Sequence, residues 1–269
     1  MSNKPRRNDP CPCGSGLKYK YCCISKDLKE RKISIKNCNC TNYGATYTAN
    51  INLTKDPLNV IASENIPIMN FCKDNGLYFF SICLTVGELN EIRNKLQKNI
   101  LKIDHILSIY KKHFNKKFMF GLLDSANEEL EIYKKRNVII KDALEAHFNG
   151  KYTLSVPVFF TQLEGILRDY GNIPDNNNVK PTIPVDKWNE RMAFFVKDQA
   201  EYFNSFITNL FKGSGDSSEF NRNPILHGTN INYNTEKNSM VLFLTILEIR
   251  NFIWMENKLK PIFQLKEST

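Results

Sequence analysis

The stretch Met240-Val-Leu-Phe-Leu-Thr-Ile-Leu-Glu-Ile-Arg-Asn-Phe-Ile-Trp254 is the longest apolar run of the chain. Glu248, Arg250 and Asn251 interrupt it, and it is shorter than the roughly 20 residues that a helix needs to cross a bilayer. We expect it to lie within a helix that starts near Thr235, a residue type that caps helix N-termini, and continues to about Leu259. The run therefore predicts the last helix of a soluble protein without a membrane anchor.

Four helical stretches are predicted upstream of this last helix. The first runs from Glu88 to about Phe114, where apolar residues recur every three or four positions and form a single stripe. The other three span roughly residues 125–148, 154–170 and 188–211. Together with the last helix they predict an all-α bundle in the C-terminal half of the chain.

The middle of the chain carries the only strand signals. Leu77–Val86 has a β-rich composition between two glycines, which favours a strand but leaves a buried helix open. Residues 37–55 are rich in Asn and Thr and indicate a loop or short strands. The predicted fold class is thus mainly α, with possible short strands in a middle segment. The predicted domains are a zinc module at 1–24, a middle segment at 25–120 and a helical bundle at 121–269.

Four cysteines lie close together in the run Arg7-Asn-Asp-Pro-Cys-Pro-Cys-Gly-Ser-Gly-Leu-Lys-Tyr-Lys-Tyr-Cys-Cys23. Cys11 and Cys13 could hold one side of a metal ion, and Cys22 and Cys23 the other. Four thiolates form a closed tetrahedral shell that suits a structural Zn²⁺ and leaves no position for bound water. Disulfides or four unrelated thiols are the alternatives. Because no signal peptide precedes the run, we expect a cytoplasmic protein whose thiols stay reduced.

The same run resembles the SEC-C motif, the zinc-binding tail of the bacterial SecA translocation ATPase, which recurs in many unrelated bacterial proteins. The likeness covers residues 7–23 almost position for position and implies an accessory module with a structural zinc ion. Residues 1–36 also hold ten Lys or Arg against three acidic residues. A basic arm on a zinc module suits RNA, a ribosome-associated partner or another acidic protein surface. The alternative is a solubilising tail. Cys72 and Cys83 lie far away among apolar residues and are expected to be inert.

A second constellation, Asn221-Arg222-Asn223-Pro224-Ile225-Leu226-His227-Gly228, lies between the fourth and the last predicted helix. Arg222 is always cationic and can hold a phosphate through two hydrogen bonds. His227 can exchange a proton near neutral pH. Together they could activate an RNA 2′-hydroxyl for attack on the adjacent phosphate without a metal, giving a 2′,3′-cyclic phosphate. The alternative is structural: Arg222 pairs with Glu164 or Glu219, and His227 caps a helix end.

This constellation resembles the hallmark of the HEPN superfamily of helical ribonucleases, Arg-x(4 to 6)-His with a polar residue after the arginine. Arg222, Asn223 and His227 occupy those three positions. The likeness covers about residues 130–258, where an Ala-His-x-x-Gly-Lys-Tyr stretch leads to Glu-Gly-x-x-Arg and then to Asn-Arg-x-x-Ile-Leu-His-Gly. It implies that Glu164 orients His227 or Arg222, and that Arg168 adds charge to the cleft. It also implies a homodimer with paired motifs, and a role in a bacterial toxin or a phage-defence system.

Pro224 departs from a regular helical motif. Proline and the residue before it both disfavour helix, so we expect the helix that carries His227 to begin at Pro224 with Asn223 as its cap. A spacing of five residues does not place two side chains on one helix face, so Arg222 would reach in from a loop or across a dimer. The sequence favours a metal-independent endoribonuclease with a zinc-bearing recruitment module. The rival is a non-catalytic interaction protein that binds RNA or protein.

Overall fold

The computed structural model describes residues 8–11, 15, 18–19, 40–42, 45–47, 57–174, 181–184, 193–212 and 220–264. The chain divides into two compact units, Met1–Pro67 and Ile68–Thr269. The predicted division at residues 24 and 120 stays a prediction. In the first unit, strands β1 (Cys40–Asn42) and β2 (Ala45–Tyr47) pair antiparallel, with Thr41 opposite Thr46.

The fold is mainly α, as predicted, and the described residues form ten α-helices. In chain order these are α1 Pro57–Asp74, α2 Val86–Gln97, α3 Ile103–His113, α4 Lys116–Glu129, α5 Glu131–Lys134, α6 Asn137–Phe148, α7 Tyr152–Gly171, α8 Ala193–Leu210, α9 Arg222–Leu226 and α10 Glu236–Gln264. A short 3₁₀ turn, Ser81–Cys83, precedes α2. None of these helices, within the described residues, is long and apolar enough to cross a membrane.

The apolar run of residues 240–254 forms the central part of α10. Thr235 caps this helix as predicted, because its Oγ1 accepts a hydrogen bond from the Asn238 N–H at 3.2 Å. Every residue from Ser239 to Arg250 is buried, which is typical of a helix surrounded by others. α10 packs against α4, α6 and α7. The core of the second unit is therefore built around this helix.

The two charged residues in the run find partners instead of solvent. The Tyr78 hydroxyl donates to the Glu248 carboxylate at 3.0 Å, and the Asn251 amide donates to it at 3.3 Å. The Arg250 guanidinium donates to Ser125 Oγ at 2.9 Å and to the Glu129 carboxylate at 3.0 Å. Buried polar and ionisable groups require such partners, so these contacts explain how polar residues can interrupt a core helix.

The single helix predicted for residues 88–114 is wrong, because the chain forms α2 and α3 there. Asn99 adopts the left-handed conformation with φ of 54°, which asparagine tolerates better than most residues. The Ile100 N–H then bonds back to the Lys95 carbonyl at 3.0 Å, which closes the end of α2. In the same way, the stretch predicted as one helix at 125–148 divides among α4, α5 and α6. The helices predicted at 154–170 and 188–211 correspond to α7 and α8; residues 188–192 lie outside the described residues.

The strand predicted at Leu77–Val86 is also wrong. Residues 77–80 are buried without forming a ladder, and residues 81–83 form the 3₁₀ turn. Side chains satisfy the backbone instead: the Phe79 N–H donates to the Tyr202 hydroxyl at 3.1 Å and the Phe80 N–H to the Tyr110 hydroxyl at 2.8 Å. Tyrosine hydroxyls from α3 and α8 thus take the place of the hydrogen bonds that a neighbouring strand would make. No local sequence pattern predicts these long-range contacts.

Candidate functional site

The short helix α9 begins at Arg222, two residues before the position predicted from sequence. Asn221, buried and extended with φ of −140°, precedes its first turn. Pro224 is the third helical residue, where its missing N–H costs nothing because the first four N–H groups of a helix have no acceptor within it. The prediction that this helix begins at Pro224 with Asn223 as its cap is therefore wrong, and Arg222 lies on the helix rather than in a loop.

The end of α9 presents His227. Its N–H donates to the Asn223 carbonyl at 2.9 Å, and Gly228 then turns the chain with a left-handed φ of 75°. Thr229 and Asn230 both donate their N–H groups to the Pro224 carbonyl, at 2.9 and 3.0 Å. This closed turn leaves the His227 side chain exposed at the helix end.

Glu164 on α7 holds two arginines. Its Oε2 lies 2.8 Å from Arg222 Nη2 and its Oε1 lies 3.2 Å from Arg168 Nε. Arg222 also donates through Nη1 to Asn223 Oδ1 at 3.1 Å. One carboxylate thus orients two guanidinium groups and neutralises only one of their charges. The structure brings Arg222, Asn223, Glu164 and Arg168 together. Of the alternatives left open by the sequence, it pairs Glu164 with Arg222, and Glu219 lies outside the described residues.

His227 does not join this group within one chain. His227 follows Arg222 by five positions. Side chains at that spacing lie on different faces of a helix. No hydrogen bond or ion pair links them in the part of the chain that the structure describes. The arginine pair and the histidine are thus neighbours in sequence with separate environments.

A second ion pair extends the basic surface along α7. Asp169 Oδ2 lies 2.8 Å from Arg136 Nη2 and 2.6 Å from Lys135 Nζ. The guanidinium of Arg136 also covers Gly165, where an added Cβ would lie 2.6 Å from Nη2. No local pattern in the sequence indicates this pair, because only the packing of α7 beside residues 135–136 brings its members together. Four cations and two carboxylates therefore form two ion-paired groups along α7.

His147 is buried and belongs to a different polar group. Its Nδ1 lies 2.8 Å from Ser239 Oγ, which in turn lies 2.6 Å from Ser155 Oγ. The rings of Phe114, Phe148 and Tyr152 pack around it. Burial lowers the pKa of His147 to about 4, so the ring is neutral at pH 7. With both serines fully buried, this group stabilises the core and offers no access to a substrate.

In the described residues of the N-terminal cysteine run, the chain reverses direction and pairs with itself. The Tyr19 N–H donates to the Asp9 carbonyl at 2.8 Å, and Pro10 forms an antiparallel bridge with Lys18. Cys11 is buried at 5% exposure beside this bridge. Cys13, Cys22 and Cys23 lie outside the described residues. A chain that doubles back between the two cysteine pairs fits four thiolates around one ion.

The remaining described cysteine side chains fit no metal site. Cys72 and Cys83 are buried in the core of the second unit, as predicted, and burial raises the pKa of each thiol to about 12. Both therefore stay protonated, whereas zinc binds the thiolate.

Comparison with known proteins identifies the N-terminal run. The family model of the SEC-C motif matches residues 7–24. The chain thus carries a SEC-C motif, a module of a zinc-binding type. No solved structure matches the chain.

Similar curated proteins match the chain over short segments of 21 to 34 residues. Protein translocase subunit SecA of Halothermothrix orenii is 81% identical over 21 residues, which are 8% of this chain and 2% of that protein. SecA of Nitratiruptor sp. is 80% identical over 34 residues, which are 13% of this chain and 4% of that protein. The uncharacterized protein YecA of Escherichia coli is 76% identical over 21 residues, 8% of this chain and 10% of that protein. The chain therefore spans a tenth or less of each of these relatives.

We expect one zinc ion per chain, bound by Cys11, Cys13, Cys22 and Cys23. A segment this short buries too little apolar surface to fold by itself. Metal binding would therefore supply the free energy for its folding. The double variant Cys11→Ser/Cys22→Ser should lose the zinc in elemental analysis and keep the helical circular dichroism of the second unit. The matched control Cys38→Ser/Cys40→Ser alters two cysteines outside the predicted ligand set and should keep the zinc. Full zinc in the first variant would exclude this ligand set.

Proposed function

We propose that this chain is an endoribonuclease that cleaves RNA without a divalent metal and is recruited through its zinc-bearing SEC-C module. One observation carries the proposal. Glu164 holds the guanidinium groups of Arg168 and Arg222 beside a short helix whose exposed end presents His227. A cationic pair for phosphate and an accessible imidazole are the groups that this reaction needs.

The chemistry divides between these groups. Arg222 and Arg168 bind the scissile phosphate, because their net positive charge persists after Glu164 is counted. His227 accepts the proton of the 2′-hydroxyl as its oxygen attacks phosphorus. The bond from phosphorus to the 5′-oxygen then breaks, and that oxygen leaves as a hydroxyl after it takes a proton from solvent water. His227 then returns the proton that it accepted to solvent. The products are a 2′,3′-cyclic phosphate and a 5′-hydroxyl, while the guanidinium groups stabilise the charge on the phosphate.

A homodimer would complete this site. Since Arg222 and His227 lie on different faces of α9, Arg222 of one chain would act with His227 of the partner subunit. Exposed apolar side chains near the motif support an interface: Leu154 is 57% and Ile231 76% exposed. Their segments are adjacent, because the Tyr233 hydroxyl donates to the Thr153 carbonyl at 3.4 Å. This surface is where we place the contact between chains.

The test is cleavage of a defined RNA oligonucleotide in EDTA, with analysis of the product ends. We expect a 2′,3′-cyclic phosphate on one product and a 5′-hydroxyl on the other. The matched control substrate carries 2′-deoxy sugars at the cleaved positions and should stay intact, because it lacks the attacking group. Cleavage of the deoxy substrate, or products with 5′-phosphates, would exclude this mechanism.

A second candidate function is a non-catalytic protein that binds RNA or an acidic partner. The observation that favours it is that Arg222 forms an ion pair with Glu164 and a hydrogen bond with Asn223. An arginine with a purely structural role makes the same kind of contacts. Under this alternative the wild type binds RNA but leaves it intact, and substitution of Arg222 chiefly changes stability.

The biological setting we propose is a bacterial toxin or phage-defence system in the cytoplasm, where RNA is present and thiols stay reduced. The basic residues 1–36 would attract RNA or a ribosome-associated protein. Growth arrest on overexpression of the wild type, relieved by His227→Ala, would support a toxic ribonuclease. Equal arrest by both forms would contradict it.

A further inference from the structure

A cleft of about 420 Å³ opens between α1, α8 and α10 in the second unit, separate from the Glu164 site. Tyr202, Phe206 and Leu210 from α8 form its floor together with Val241 of α10. Phe206, Leu210 and Val241 are buried beneath the surface. The size falls within the range of pockets for small molecules, and aromatic side chains contribute to the floor.

Three lysines surround this floor. Lys73 lies in the last turn of α1, Lys212 just after α8 and Lys237 in the first turn of α10. All three are exposed, and no described carboxylate forms an ion pair with any of them. Among the described residues that line the cleft, none is acidic. Elements distant in sequence thus bring three lysines and no described acidic residue to the lining of the cleft, which favours a ligand with several negative charges.

Polar side chains lie between the lysines and the floor. Ser205 and Asn209 of α8 and Asn238 of α10 line the cleft and can donate or accept hydrogen bonds. Asn238 is held in place, because its Nδ2 donates to the Tyr233 carbonyl at 3.0 Å. Tyr202 is also fixed: its ring stacks on Tyr78 with centroids 4.8 Å apart. The cleft therefore presents pre-positioned polar groups beside an aromatic surface.

We infer that this cleft binds a nucleotide, with its phosphates at Lys73, Lys212 and Lys237 and its base against the floor that Tyr202 and Phe206 provide. Lysine binds phosphate as a point charge, and aromatic rings stack on any base. A purely apolar ligand would leave the lysines unused, and a simple inorganic anion would leave the floor unused. The nucleotide is either free or one unit of an RNA chain, and both sources share this chemistry.

The experiment measures binding by isothermal titration calorimetry to the full-length chain that carries His227→Ala, so that cleavage cannot interfere. The probes are ATP, GTP, adenosine, inorganic triphosphate and a short oligouridine. The variant Lys73→Ala/Lys212→Ala/Lys237→Ala should weaken nucleotide binding by about tenfold or more per lysine. The matched control Lys98→Ala/Lys102→Ala/Lys117→Ala removes three exposed lysines elsewhere and should bind as the parent does.

The outcomes are distinct. Tight binding of ATP or GTP that depends on the three lysines supports the inference for a free nucleotide. Binding of oligouridine alone, with the same dependence, supports it for a unit of RNA. Equal affinity for inorganic triphosphate and ATP would overturn it, as would equal loss in the control variant or no binding of any probe. Because RNA cleavage by the parent chain is scored separately, failure here leaves the ribonuclease proposal intact.

Discussion

His227→Ala should lower the rate of RNA cleavage by roughly a hundredfold to ten-thousandfold, the usual loss when a positioned proton-transfer group is removed. The same change should leave the thermal melt near that of wild type. The His227 side chain is exposed, and no described residue hydrogen-bonds to it. A large loss of rate without a loss of stability is therefore the signature of catalysis at this position. The measurement is single-turnover cleavage in EDTA beside a circular-dichroism melt.

Arg222→Ala should lose activity for a different reason and show a different stability. Loss of a phosphate-binding cation should cost roughly a hundredfold or more in rate. Because Arg222 pairs with Glu164 at a partly exposed site, its removal should also cost up to about 1 kcal/mol of stability. The matched control is Arg93→Ala on α2, far from the motif in sequence, which should keep full activity. Activity that survives in folded His227→Ala and Arg222→Ala proteins would remove both residues from the mechanism.

Glu248→Gln should raise the free energy of unfolding by about 2 to 3 kcal/mol at pH 7.5 and change it little at pH 4.5. Burial raises the pKa of Glu248 to about 7, and hydrogen bonds from Tyr78 and Asn251 limit that rise. Between about pH 4.5 and 7 the unfolded chain ionises this group while the folded chain keeps it protonated, so its effect lowers stability as the pH rises. Above pH 7 the folded chain carries the full loss of stability that the buried Glu248 carboxylate causes. Glutamine has no charge to bury, so the substitution removes this loss.

His147 has the opposite effect on stability. Its pKa is lowered to about 4, so the unfolded chain takes up a proton between about pH 6.5 and 4 while the folded chain does not. Its contribution therefore falls as the pH falls through that window. In wild type the pH dependences that Glu248 and His147 give to the free energy of unfolding largely cancel. In Glu248→Gln only the His147 contribution remains, so the stability of this variant should fall as the pH is lowered from 6.5 to 4.5.

Urea denaturation at pH 4.5, 5.5, 6.5 and 7.5 checks both statements, with Glu201→Gln, an exposed glutamate of α8, as the matched control. The control should follow wild type at every pH. A stability gain in Glu248→Gln that is the same at pH 4.5 and 7.5 would show that Glu248 is not kept protonated by the folded chain.

Local patterns were sufficient for the helical class and for the zinc-binding type of module. The apolar run at residues 240–254, with its Thr235 cap, predicted the core helix because burial on all sides leaves few polar residues in a sequence. The cysteine spacing predicted the SEC-C motif because the ligands of a small metal site must lie close along the chain. Both depend on residues within a few turns of one another.

Long-range contacts decided what local patterns could not. The Leu77–Val86 segment has strand composition, yet Tyr110 and Tyr202 satisfy its backbone, so it never forms a sheet. Proline disrupts a helix where its missing N–H would have to donate to a carbonyl of the preceding turn. Pro224 avoids this cost because it lies in the first turn of α9, as its third residue, whereas the sequence predicted it as the first. Arg168 follows Glu164 by four positions on one helix, so that pair is local. The contacts of Glu164 with Arg222 and of Asp169 with Arg136 depend instead on the packing of other elements against α7. The three-lysine cleft has no sequence signal, because only the meeting of α1, α8 and α10 brings its cations together.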